Sequence, residues 1–241
     1  CGMSRRRHPA LLRLGEASLV AVAAAALGGA LGLLGGLRWA AATGASAGLN
    51  GAFCGWRAVY DWRRAAGWLA LVCDSTWGLV GTTLGNALNL ANSVHRRSGY
   101  RPDLSLRQNR QVFERGVTVR RGFAITHGNV VSNAATGRPS PPDRRLVDRH
   151  ESLHVWQSRL FGPLYQGVYA VWSAAGTLVG AAVWLARGGK PSLWRLVEAA
   201  AYYDNPFEFW AYRRQGYWEG NAADPTLKWR RPRWLAARRP R

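Results

Sequence analysis

The sequence predicts an α+β protein, mainly α, in which membrane-associated helices are joined to a part that pairs a small β-sheet with an HExxH helix. Three observations carry this expectation. Long uncharged stretches recur, the first from Ala17 to Leu37. Between Gln111 and Asn133, apolar and polar residues alternate between glycines, the period of short strands. Residues 150–154 read His-Glu-Ser-Leu-His, a pattern whose chemistry requires a helix.

Composition agrees with a lipid-facing chain. Hydrophobic residues make up 48% of the 241 positions, with 28 Gly and 13 Trp, far more tryptophan than a soluble domain of this size usually holds. The formal net charge is +20, and Lys190 and Lys228 are the only lysines, so the excess is arginine. A basic surface suits anionic lipid or nucleic acid. An Arg- and Ala-rich, Lys-poor chain is also what GC-rich coding produces. Cys1, Cys54 and Cys73 form no CxxC pair, which argues against a disulfide framework or a thiolate zinc site. Met3 is the only methionine and marks the expected natural start, a lipoprotein-like N-terminal Cys1 being the alternative.

Taken in order, basic residues Arg5, Arg6, Arg7 and Arg13 precede the uncharged run Ala17 to Leu37. As a helix that run spans about 30 Å, enough to cross a bilayer. A retained helix is expected, with a cleaved signal peptide as the alternative. Gly28, Gly32 and Gly36 repeat a small-xxx-small spacing that lets membrane helices approach closely and suggests self-association. A second apolar stretch, Gly67 to Asn92, repeats it at Gly81 and Gly85 but contains Asp74, Asn86, Asn89 and Asn92. Asp74 and Ser75 are expected to cap a helix, with the asparagines on one face against protein. Val117, Val119, Phe123, Ile125 and His127 then suggest two or three strands. Thr136 to Asp143 reads as a loop.

The HExxH helix is expected from Asp143 to about Leu160, bounded by Gly162 and Pro163. Histidines at i and i+4 share one helix face, so His150 and His154 can reach a single Zn²⁺. Glu151 then flanks the metal and can take a proton from water that zinc has made acidic. Such a centre needs a third protein ligand. Glu208 offers one: Asn205-Pro206 opens a helix, Glu208 sits in its first turn, and Ala211 is small enough for close approach. Glu198 is the competing ligand, and His127 is a weaker candidate that can instead contact substrate.

With Glu208 three residues before Ala211, the chain resembles the gluzincins, zinc peptidases whose second helix supplies a glutamate, often within ExxA. It is similar in particular to integral-membrane zinc peptidases whose second helix reads E-F/Y-x-A-D, with Tyr212 here at the aspartate position. It also resembles uncharacterised bacterial membrane proteins with HExxHxxQS, GPLY and NPxExxA, matched by Gln157, Ser158, Gly162, Pro163, Leu164, Tyr165 and the Asn205 segment. The resemblance covers residues 111–213. It implies a zincin-like site with Zn²⁺ as cofactor and a peptide or protein as substrate, in a membrane, the bacterial inner membrane being the expected one.

The expected organisation is an N-terminal membrane region over 1–92, a zincin-like region over 93–227 and a basic aromatic tail over 228–241. Between the motifs, Phe161 to Ala186 is a third apolar stretch. If it crossed a bilayer, Glu208 would lie about 30 Å from His154. A return through 188–207 would carry Arg195 and Glu198 through lipid. A hydrophobic hairpin over 161–187, turning near Ser173 to Gly176, is therefore expected. The tail, with Trp229 and Trp234 among arginines, suits an anionic membrane surface. Nucleic acid is disfavoured, because no recognition fold accompanies the charge. The alternative to a hydrolase is a membrane scaffold with a structural metal site.

Overall fold

The computed structural model describes residues 10–119, 122–135, 144–190 and 192–216. The chain divides into two compact units, residues 1–166 and 167–241, and is mainly helical with one three-stranded sheet. The expected loop over 136–143 and the basic tail over 228–241 lie outside the described residues.

In the first unit, α1 (Ala10–Gly32) and α2 (Leu37–Trp56) form a tight antiparallel pair. A Cβ on Gly28 would lie 2.7 Å from Ala47 Cβ, and one on Gly55 would lie 2.6 Å from Ala17 Cα. Glycine thus lets the two backbones touch, and Thr43 Oγ1 donates to the Gly28 carbonyl at 2.7 Å across the contact. The small residues at Gly28 and Gly32 are in close contact with α2 within the chain.

Helices α3 (Ala65–Ser75) and α4 (Leu79–Val94) follow. Asp74 and Ser75 do not cap a new helix, contrary to the sequence expectation. They end α3, where Thr76 leaves helical geometry (φ −130°, ψ −98°) and Trp77 and Gly78 turn the chain. Asp74 is held there by a partner distant in sequence, Arg159. The asparagine face is as expected: Asn86, Asn89 and Asn92 are all buried. Asn86 Nδ2 donates to the Ser46 carbonyl, and Asn92 Oδ1 accepts from Val117 N.

The sheet contains β1 (Gln111–Val112), β2 (Ile125–His127) and β3 (Val130–Ser132) in the order β1-β3-β2. β3 runs parallel to β1 and antiparallel to β2, with His127 opposite Val130. Val117 and Val119 fall outside the strands. Gly128 opens the two-residue β2–β3 turn at φ +53°, a position that favours glycine. That turn docks on α4. A Cβ on Gly128 would lie 2.6 Å from the Gly81 carbonyl oxygen, and one on Gly85 would lie 2.7 Å from that of His127. The second GxxxG pair is therefore a seat for a β-turn.

The helix carrying the motif begins with a π-helical segment, Leu146–Glu151, and continues as α5 (Ser152–Phe161). Asp143 lies outside the described residues, and the C-terminal boundary is as expected. Gly162 ends α5 at φ +54°, where a Cβ would lie 2.5 Å from Trp77 Nε1. Pro163 then starts α6 (Pro163–Ala186).

Helix α6 is unbroken, so the expected turn at Ser173 to Gly176 is absent. Reversal comes later, at Gly188 and Gly189, both with positive φ. The second unit continues through α7 (Leu193–Glu198), a π-helical segment Ala199–Tyr203, and α8 (Pro206–Gln215). Gly176 and Gly180 serve packing rather than bending. A Cβ on Gly176 would lie 2.5 Å from Ala201 Cα, and one on Gly180 would lie 2.7 Å from Val197 Cα. The chain thus packs back along α6, with Arg195 exposed and Glu198 half-buried. Two helical stretches, Ala10–Gly35 and Pro163–Ala186, are long and apolar enough to cross a membrane.

Candidate metal centre

His150 is the fifth residue of the π-helical segment and His154 lies in the first turn of α5. Both are buried, at 3% and 4% exposure. Their Nε2 atoms face each other at 3.1 Å. Two nitrogen ligands about 2.0–2.1 Å from one tetrahedral ion stand about 3.3 Å apart, so the pair already sits near ligand spacing.

The orientation of His154 is fixed from behind. Its Nδ1 lies 2.8 Å from Gln157 Oε1 and 3.2 Å from the Tyr165 hydroxyl. An amide oxygen only accepts, so Nδ1 carries the proton and Nε2 presents its lone pair. Gln157 is fully buried one helical turn on, and a neutral, lone-pair-out imidazole is the form a metal takes.

Glu151 is buried and points to the sheet, where Thr126 Oγ1 of β2 donates to its Oε2 at 2.6 Å. In the second unit, Asn205 caps α8 by accepting from Phe207 N at 3.0 Å, with Pro206 in the first turn. This is the Asn-Pro opening expected from the sequence. Glu208 follows, accepting from the Tyr169 hydroxyl at 3.0 Å. Ala211 is fully buried, and Tyr212 joins an aromatic group with Tyr202 and Tyr203.

One ligand atom from each of His150, His154 and Glu208 lies within 4.8 Å of the others, and all three residues are buried. This group can hold a metal ion. Two imidazole nitrogens and a carboxylate oxygen are a donor set that suits zinc and its neighbours among the divalent transition metals. Glu198, in α7, is not in this group. His127 is not either. It follows Thr126 on β2, where successive side chains leave opposite faces. Burial lowers the His127 pKa and favours its neutral form.

The sequence reading missed what anchors the motif helix. Arg159 and Asp74, each 1% exposed, form a two-pronged ion pair at 2.8 Å per bond. Tyr60 and Asn129 each donate to Asp74 Oδ2 at 3.0 Å, and Arg159 donates to the Asn109 carbonyl at 2.7 Å. One signal was present: a lone aspartate in an apolar run calls for a buried cation. Thr126 had no such signal.

No protein-family model, no curated protein and no solved structure matches the chain.

Proposed function

We propose that the chain is a membrane-associated, zinc-dependent hydrolase acting on peptide bonds, with His150, His154 and Glu208 as ligands and Glu151 as general base. The observation that carries this reading is the 3.1 Å approach of the two Nε2 atoms, with Glu208 in the same buried group. Zinc bound there would lower the pKa of water to about 7 and polarise a substrate carbonyl. Glu151 takes the proton from the attacking water and delivers it to the leaving amine. Thr126 holds one oxygen of that carboxylate, which fixes its direction. Gln157 keeps His154 in the ligating tautomer.

Replacing Glu151 with Gln tests the mechanism. The E151Q protein should retain metal and lose hydrolysis of a fluorogenic peptide mixture that wild type cleaves; undiminished cleavage would remove Glu151 from the chemistry. A second reading, a scaffold with a structural metal, is favoured by the burial of all three ligands, since structural sites are closed to water. It predicts that E151Q changes nothing measurable and that metal removal unfolds the protein.

A further inference from the structure

We infer that α3 and α4 form a re-entrant hairpin that enters lipid to about half the depth of the bilayer and leaves on the side it entered. The inference rests on the membrane association proposed for Ala10–Gly35.

Between Arg64 and His95 the sequence contains one charged residue, Asp74. It faces inward, fully paired with Arg159. The exposed face of this segment is largely apolar, and its buried face carries polar as well as apolar side chains. Asp74, Asn86, Asn89 and Asn92 are buried and hydrogen-bonded within the protein, while Trp68, Leu69, Val72, Trp77, Val80 and Leu84 are 42–57% exposed. In water the apolar side chains would face inward. A hydrocarbon surround reverses the preference, because polar groups then need partners inside the protein.

Length fixes the depth. The 11 residues of α3 rise about 16 Å, half of a 30 Å hydrocarbon core. The same depth follows from α1. At one end of α3, Trp62 donates to Glu16 at 2.7 Å; at the other, a Cβ on Gly28 would lie 3.2 Å from the Ser75 carbonyl oxygen. The tip therefore stops beside Gly28, seven residues or about 10 Å short of the end of the Ala10–Gly35 stretch. Both mouths are cationic, with Arg63 and Arg64 before α3 and Arg96 and Arg97 after α4, all exposed.

Backbone in a bilayer must be satisfied by protein, and the turn meets that demand. Gly78 N donates to the Cys73 carbonyl at 2.7 Å, Leu79 N to that of Thr76 at 3.0 Å, and Thr76 Oγ1 to that of Val72 at 2.7 Å. Trp77 Nε1 donates to the Leu160 carbonyl at 3.1 Å, so the tip also holds the end of the HExxH helix.

The test is cysteine labelling of the full chain in sealed phospholipid vesicles, with Cys1, Cys54 and Cys73 replaced by Ala. Single cysteines are placed as Arg64→Cys and Val94→Cys at the mouths, Val72→Cys and Val80→Cys near the tip, and Val22→Cys on α1. A membrane-impermeant maleimide should label the mouth positions from one common side. It should label the tip and α1 positions at least about tenfold more slowly, because a thiol in hydrocarbon does not ionise. Nitroxides on the same cysteines should show the tip positions accessible to oxygen and shielded from a water-soluble nickel chelate. Tip positions that label as fast as the mouths while Val22→Cys stays protected would overturn the hairpin alone. Fast labelling at all five would overturn the membrane reading with it. Mouth positions labelled from opposite sides would show a full crossing and refute re-entry.

Discussion

Arg159 anchors the motif helix from outside the site, through Asp74 and the Asn109 carbonyl. Its guanidinium and the Asp74 carboxylate are both withdrawn from water and meet at 2.8 Å. Removing one partner of such a pair strands a buried charge, at a cost of about 3–5 kcal/mol. Arg159→Met should therefore lower the thermal unfolding temperature in detergent sharply. Combining it with Asp74→Asn should recover part of the loss; an Arg159→Met protein as stable as wild type would show that the pair anchors nothing.

Gln157 acts at closer range. Gln157→Leu removes the acceptor that fixes the His154 tautomer and should weaken metal binding about 10–100-fold with the fold intact. Unchanged affinity in a chelator competition would count against that role. At this scale the sequence was legible wherever partners are near neighbours. His150 and His154 lie a turn apart on one helix, and Asn205 caps the helix it precedes. Arg159 with Asp74 and Thr126 with Glu151 pair across long sequence separations, which no local pattern encodes.

At the scale of elements, glycine decides which surfaces touch. Gly128 combines a positive φ with a close approach to Gly81. Gly128→Ala should cost about 1–3 kcal/mol of stability through overpacking and strain, read as a lower unfolding temperature; a neutral effect would mean that the β-turn is not seated on α4. Gly176→Leu should separate α6 from the Ala199–Tyr203 segment, with a loss of similar size.

The same glycines explain which elements were predictable. Small residues at a spacing of four announced close approach, which holds at Gly28, Gly32, Gly81 and Gly85, whereas a Cβ on Gly36 would meet nothing within 4 Å. What they approach was not readable: a helix for Gly28, a β-turn for Gly85, a returning π-helical segment for Gly176. The expected hairpin over 161–187 failed for this reason. Gly176 was read as a bend, whereas it lets two helical segments pack, and the bend lies at Gly188 and Gly189. Charge in lipid argued against a return through 188–207; α7 and the π-helical segment nevertheless pack back along α6, with Arg195 exposed.

For the whole molecule, the mainly helical character with a small sheet followed from pattern. Helices, a small sheet and the HExxH helix are all present, and two helical stretches have the length and apolarity of membrane spans. The choice of third ligand did not follow from pattern, because Glu198 and Glu208 both lie on helices after the same apolar stretch. Glu208 lies in the buried group with the two histidines that could hold a metal ion, and on that ground it is the ligand proposed.

The central claim is that this group holds one zinc ion, and the most direct measurement is metal content of protein purified without chelators. Wild type and E198Q should each carry about one zinc per chain, whereas H150A, H154A and E208A should carry little. A wild-type protein without bound metal, or an E208A protein as fully loaded as wild type, would contradict the account.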